Sequence, residues 1–419
     1  MRHAYVCGSM FRGIASEALV ARAARAGLLA FYGAGGLAPE EVAAVLGRLR
    51  DAVGGRTFGV SLPQGPGLEA RVDLLLSHGV DVVEASGFTG VAPALARYRL
   101  PGLVRAADGS VVARHRVLVK VTTPRAAEEF LRPVPEEVVR ALRAEGAVSA
   151  EQAELAALLP AADDICLEAD SGGHTDRGAL AVLLPVLLRL RARHAAQGVR
   201  LGAAGGLGTP QAVAAAFLLG ADFVLTGSVN LCTAESGISD VAKDMLEGIA
   251  VGDTDYAPSA TAFETGGQTQ VLGHGVFFPA RARKLLALHR AHRSLEELDG
   301  QTRDMLEQRW FRRPLEQVWR DTRAYFAAHD PTEAERAERD PHHRMALVFR
   351  WYLAESQRLA IEGDAARRVD FQIHCGPALA AFNDWVSGTE LERWPDRHVD
   401  HIADRLMTAA ADHLAGVSQ

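Results

Sequence analysis

Long apolar runs are missing from this 419-residue chain. The longest, Ala179 to Leu188, is about half of the ~20 residues that a membrane-spanning helix needs and contains Pro185, which argues against insertion into a bilayer. Cysteine is scarce. Cys7, Cys166, Cys232 and Cys375 stand far apart, without the paired spacing of a zinc site or a secreted disulfide scaffold, so reduced thiols in a cytoplasm are expected. No basic segment followed by an apolar core opens the chain, so no leader is expected. Positive charge is not in surplus either: a net charge of -7 and a pI near 6.1 remove any general attraction to nucleic acid or an anionic membrane. Lysine is rare and arginine and alanine common, a bias of genomic base composition that carries no mechanism. Solenoid repeats and low-complexity tails are absent. What is left, 48% apolar residues with balanced charge, describes a soluble globular protein long enough for one large core and a second unit.

Through the first half, short β-rich runs alternate with amphipathic helical stretches. The runs are His3 to Ser9, Leu28 to Gly36, Thr57 to Leu62, Val80 to Ser86, Arg116 to Thr122, Asp164 to Asp170, Val199 to Gly206 and Asp222 to Ser228. They make about eight strands, most ending in Gly, Ser or Asp and most followed by a helix. Near-continuous apolar strands alternating with helices imply a parallel sheet covered on both faces. Eight units closing on themselves give a TIM (β/α)8 barrel, with function at the C-terminal strand ends; an open doubly wound sheet is the competing topology.

Beyond about residue 229 strand-like runs largely vanish, and helical stretches rich in Arg, Glu, Leu and Trp take over. The expected organisation is a barrel over 1–229 and a mainly helical region over 230–419, partly packed on it. Gly252 to Gly267, dense in Gly, Pro, Asp and Thr, reads as a long functional loop. Asp330 to Pro341, charged and bounded by prolines, reads as an exposed connection. The His342–His343 pair lacks ligand spacing and reads as surface.

Two strand ends carry the chemistry. Gly205, Gly206, Gly227 and Ser228 fall in the loops after the seventh and eighth strands, where barrels of this kind bind phosphate through bare backbone amides. Pro210 after Thr209 suits the first turn of a helix. The plainer reading of these glycines is a pair of tight strand-to-helix turns. His174, just past Gly172 and Gly173, titrates near neutrality and could give or take a proton, and the glycine pair leaves room for a flat ligand. Lys120 is a charge inside an apolar strand, so it needs an acidic partner such as Glu84, Glu168 or Asp170, or else the negative edge of a bound cofactor ring.

The runs VCGSMFRGIASEALV, FYGAGGL, LVKVTTPRAAEEF, CLEADSGGHTD, AAGGLGTPQAVAAAFLLGADFVLTGSVN, RMALVFRWYLAES and FQIHCGPALAAFNDW together resemble the trans-acting enoyl reductases of polyketide and polyunsaturated-fatty-acid synthases. That group is a branch of the nitronate monooxygenase superfamily of FMN-dependent barrels. The barrel runs specify the superfamily, and the last two specify the synthase branch. The resemblance implies FMN with its phosphate on Gly205, Gly206, Gly227 and Ser228, and its ring over Gly8, Ser9, Met10, Ser61, Lys120 and Asp170, beside Gly172 and Gly173. It implies NADPH or NADH as reductant and an enoyl thioester on an acyl carrier protein as substrate. Hydride would reach the β-carbon and a proton the α-carbon, with His174 as proton donor or as orienter of the thioester carbonyl. A homodimer is the assembly allowed for, and the arginines between Arg281 and Arg293 could meet an acidic carrier.

This sequence departs from the family at Ser61, where many members carry asparagine, and over Gly266 to Gly275, which is less basic than usual. Two other classes stay open: a flavin oxygenase acting on a nitronate with His174 as base, and a scaffold that has lost catalysis. The glycine loops and Lys120 argue against the scaffold, because a relic has no reason to keep an anion site.

Overall fold

Apolar runs three to six residues long and rich in Val, Leu and Ala can bury both faces only inside a covered sheet. The computed structural model, which describes residues 1–417, places them in a closed ring of eight parallel strands. These are β1 (Tyr5–Cys7), β2 (Leu29–Tyr32), β3 (Gly59–Pro63), β4 (Val82–Ser86), β5 (Arg116–Val121), β6 (Asp164–Glu168), β7 (Arg200–Ala204) and β8 (Phe223–Thr226). Each pairs with its sequence neighbours, and β1 closes the ring on β8 through Tyr5↔Val224 to Cys7↔Thr226. The expected barrel is therefore the observed one, and the open sheet is excluded.

Alternate residues of the strands fill the interior. Val6, Phe31, Val82, Leu118, Cys166, Ala204, Phe223 and Leu225 form one buried cluster. Two glycines make room for its rings: a Cβ on Gly59 would stand 2.2 Å from Phe31 Cδ1, and one on Gly202 2.2 Å from Phe223 Cε2. Large rings against bare backbone are how a narrow barrel reaches interior packing density.

Helices start where the sequence supplies caps. Thr209 accepts from the Ala212 amide with Pro210 in the first turn of Pro210–Leu218, and Thr123 does the same for Pro124–Leu131. The chain divides into two compact units, one of residues 1–171, 177–237 and 381–419, the other of 172–176 and 238–380. In the first, the C-terminal helix Val399–Val417 packs on Pro210–Leu218 and on Glu17–Arg25. Arg22 anchors it, 2.7 Å from Asp400 and 3.3 Å from Glu235.

The second unit is mainly helical around a core that includes Phe278, Phe311, Phe349 and Tyr352. Its central helix, Pro341–Glu362, begins at Asp340, whose carboxylate accepts from the amides of His342 and His343, and ends at Gly363 with φ +79°. Three sequence expectations fail here. Part of the expected loop over 252–267 is strand, since Thr254–Pro258 pairs antiparallel with Gln268–Leu272. Most of the segment 330–341 is helix, Pro331–Arg339, capped by Asp330 and seated on Ala334 and Ala337. His343 is fully buried, its Nδ1 3.0 Å from Glu264 Oε2, while His342 stacks on His289 at 3.8 Å. None of the four cysteines forms a disulfide among the described residues, and all are buried. No described helix is long and apolar enough to cross a membrane.

Candidate active site

The strand period of two decides what stands at the C-terminal rim. Val82, Leu118 and Cys166 point into the barrel, so Glu84, Lys120 and Glu168, two residues further along three adjacent strands, form the next inward layer. Ser61, opposite Glu84 in the register, belongs to the same layer. Continuing the count past Val6, Ala204 and Leu225 reaches Gly8, Gly206 and Gly227. The rim is charged on one side and nearly bare on the other.

On the charged side Lys120 Nζ lies 3.4 Å from Glu84 Oε1 and 3.4 Å from Glu168 Oε1. Burial pulls the Lys120 ammonium down, yet Glu168 and Glu84 outweigh it and hold the group above the ordinary lysine value. Glu84 is fully buried. Its charge is tolerated because Ser9 donates twice, its amide to Oε2 at 3.0 Å and its hydroxyl to Oε1 at 2.5 Å. The acidic partners foreseen for Lys120 are thus Glu84 and Glu168. An ammonium has three N–H donors, and two point at carboxylates, which leaves one.

On the bare side a Cβ at Gly206 or Gly227 would meet nothing within 4 Å. Gly206 has φ +74°, and among the described residues no acceptor takes the amide of Gly206 or Gly227. Gly205 differs. A Cβ there would stand 2.8 Å from the Asp170 carbonyl oxygen and 2.9 Å from Ala169, so the loops after β6 and β7 approach backbone to backbone. The Gly8 amide donates to the Thr226 carbonyl at 2.9 Å, and a Cβ on Gly8 would strike Leu225 at 2.5 Å. The Met10 carbonyl abuts Gly33, where a Cβ would clash at 1.8 Å, and Ser61 Oγ accepts from the Gly35 amide at 3.2 Å. The Asp170 amide donates to the Gly178 carbonyl at 2.8 Å. Ser228 opens the short helix Ser228–Leu231 behind Gly227.

Gly172, Gly173 and His174 belong to the second unit. There Gly172 bridges to Gln270, and His174, on the short strand Gly173–Thr175, is half exposed with Nε2 3.9 Å from Asp176. Beside Gly173 lies His374, which sequence reasoning did not single out: a Cβ on Gly173 would stand 3.8 Å from its Nδ1. Burial alone pushes His374 down to about 4. Ser9 as the anchor of Glu84 was likewise not legible, since nothing in a strand end names its cross-barrel partner. No group of described residues has the makings of a metal site.

Residues 292–371 match the family described as "[Acyl-carrier-protein] S-malonyltransferase, inserted helical domain". The chain is 45% identical over 421 residues to the polyketide biosynthesis protein PksE of Bacillus subtilis, covering 98% of this chain and 54% of that protein. Against a polyunsaturated fatty acid synthase polypeptide of Thraustochytrium the identity is 43%, covering 92% of this chain and 27% of that one. The chain therefore spans about half the length of the first relative and about a quarter of the second. The crystal structure of the enoyl reductase domain of MlnA, from the macrolactin cluster of Bacillus amyloliquefaciens, superposes with a TM-score of 0.93 at 38% identity, covering 98% of this chain and 94% of that one. An identity of that size over nearly the whole of both chains places the protein: it belongs to the enoyl reductase family of oxidoreductases found in polyketide and polyunsaturated-fatty-acid synthase systems.

Proposed function

We propose that the chain is an FMN-dependent enoyl reductase that uses NADPH or NADH to saturate the α,β-double bond of an enoyl thioester carried by an acyl carrier protein. The observation that carries this reading is the asymmetric rim: open, acceptor-free glycine amides at Gly206 and Gly227, and Lys120 clamped between carboxylates, in a chain alike from end to end to an enoyl reductase domain. The residues fit the cofactor. Bare amides beside open space suit a phosphate dianion, and a spare ammonium N–H suits the electron-rich edge of a flat ring. Ser228 would add a hydroxyl to the phosphate loop, and Gly8, Ser9, Met10, Ser61, Asp170, Gly172 and Gly173 would border the ring.

FMN, when bound, supplies the hydride chemistry. The chain's share is orientation and charge. Glu84 and Glu168 keep Lys120 protonated, so its donor is available at any working pH. His174 would give the α-carbon its proton or hold the thioester carbonyl, with solvent as the proton source in the second case. Residues 1–229 would form the FMN barrel and 230–419 the region that meets substrate and carrier, the arginines of Arg281 to Arg293 facing an acidic partner; the match of 292–371 to a domain of a carrier-protein transferase supports that part. The test is product analysis. Purified protein loaded with FMN, NADPH and a crotonyl thioester under argon should yield the butyryl thioester, with one NADPH consumed per double bond. Unchanged crotonyl thioester, or NADPH consumed only when oxygen is admitted, would favour the oxygenase.

A further inference from the structure

Between Thr265 and Leu295 the chain carries no Asp or Glu, although Arg281, Arg283, Lys284, Arg290 and Arg293 all fall there and the whole protein bears a net charge of -7. The helix Phe278–Ala291, inside the second unit, sorts its cations by face. Arg281 turns inward: it is bound to the buried carboxylate of Asp370 and stacks over the Trp310 ring at 5.5 Å, so it is structural and not offered to a partner. Arg283, Leu286, Ala287, Arg290 and Ala291 follow the i, i+3, i+4, i+7, i+8 spacing of one helical stripe. That stripe is one wall of a cleft of about 590 Å³. The hairpin of Thr254–Pro258 and Gln268–Leu272 supplies the other wall through Tyr256 and Pro258.

The two arginines stand seven residues apart on the helix, about 10 Å along its axis, with Leu286 and Ala287 between them. Arg283 is held from below, its Nη1 donating to Asp255 Oδ2 at 2.8 Å and to the Tyr256 carbonyl at 2.7 Å. Arg290 is exposed, and among the described residues no carboxylate pairs with it or with the exposed Lys284. A Cβ on Gly266, whose φ is +81°, would stand 3.1 Å from Arg290 Nη2, so the glycine turn makes room for the guanidinium. The cleft is thus apolar in the middle and cationic at its rim, with one of its two arginines already balanced by Asp255. An amphipathic surface with acidic flanks complements it. Ala287 and Ala291 are small and exposed, which lets a second helix approach to the 8–10 Å separation of packed helices. The residues that follow directly, 292–371, are those that match a domain of a carrier-protein transferase.

We propose that this cleft is the docking surface for an acidic amphipathic helix of the acyl carrier protein, which lays its apolar side over Leu286 and Ala287 and sets a carboxylate on Arg290. The assignment deepens the enoyl reductase reading and rests on its carrier-bound substrate. Charge at the rim of a contact steers encounter and fixes register more than it adds affinity, which suits a carrier that has to leave after each turnover.

The experiment titrates FMN-loaded protein, at low salt, into an isotope-labelled polyketide-synthase carrier domain that lacks its phosphopantetheine arm, and follows the carrier's amide signals by NMR. Signals of one acidic helix should shift, and added salt should weaken the binding. Arg290→Glu places carboxylate against carboxylate, so affinity should fall at least about tenfold. Ala287→Glu, which sets a charge on the apolar centre, should fall as well, while Arg290→Lys should keep most of the affinity. Exchanging the most strongly shifted carrier carboxylate for lysine should restore binding to Arg290→Glu. Thermal midpoints identify folded variants; if Arg290→Glu does not fold, Ala287→Glu decides by the same criterion. Wild-type affinity in these two variants, shifts away from any acidic helix, or no binding to the wild-type protein would overturn the proposal. Loss of a dimer in Arg290→Glu with carrier binding kept would give the cleft to a second copy of the chain and overturn it too. Failure of the wild-type protein to reduce a free crotonyl thioester would sink the enoyl reductase reading instead, and the carrier titration, which involves no chemistry, would still decide the cleft.

Discussion

Lys120 and Glu84 meet 3.4 Å apart on neighbouring strands, the carboxylate fully enclosed and the ammonium nearly so. Neither charge could stay there alone. Glu84 has Ser9 and Lys120 as partners, and Lys120 has Glu84 and Glu168, so the rim is a network in which removing one member leaves another uncompensated.

Lys120→Met should consequently lower stability by about 3–5 kcal/mol, the usual result of stranding a buried charge. The check is the urea midpoint of the FMN-free protein. A midpoint within error of wild type would show that water reaches the carboxylates and that the clamp is not structural.

Gly206→Val should abolish most FMN retention. The new side chain enters open space, so it makes no clash, but it sits at φ +74°, costing about 1–2 kcal/mol, and it covers the amide assigned to the phosphate. Flavin absorbance per protein after reconstitution reads the effect. Full flavin content would remove Gly206 from the phosphate loop.

Gly202→Ala tests the packing of the barrel interior without touching the rim. Its Cβ would sit 2.2 Å from the Phe223 ring, so overpacking should cost about 1–3 kcal/mol, and Phe223→Leu in the same chain should return part of it. Thermal denaturation of the single and double variants compares them; additive losses would mean that the two residues do not meet.

His374 predicts a pH dependence. Its folded-state titration near 4 lies below the ordinary histidine value, so between about pH 6.5 and 4 the unfolded chain binds a proton that the folded chain does not. Stability should fall as pH drops through that window, by up to about 3 kcal/mol, and the fall should be smaller in His374→Gln. Denaturant midpoints at pH 7.5 and 5 for both proteins measure it; equal slopes would place His374 in water.

His174→Ala should lower turnover on an enoyl thioester by about 10²–10⁴-fold if the imidazole delivers the proton, with FMN still bound. Steady-state NADPH oxidation reads it. Wild-type turnover in that variant would leave no chemical role for His174.

The barrel was legible because strands buried on both faces are continuous apolar runs, and the glycines that end them mark the rim. Lys120 stood out for the same reason, as a cationic side chain in such a run. The hairpin at Thr254–Pro258 was not legible, because Thr, Asp and Pro dominate it and its pairing partner begins ten residues later, at Gln268. Pro331–Arg339 hid as a charged segment, since two alanines are its whole buried face. His343 was misread because no local pattern shows that Glu264 will fold over it. His374, amid Ile373 and Cys375, looks like any core histidine until Gln372 and Gly173 are placed around it.

The most direct measurement is an anaerobic spectrum of the FMN-loaded protein, taken after one equivalent of NADPH and again after a crotonyl thioester. The account predicts that the yellow absorbance is lost in the first step and returns in the second without oxygen. A preparation that takes up no FMN, or one whose bleached flavin recovers only when air is admitted, would contradict it.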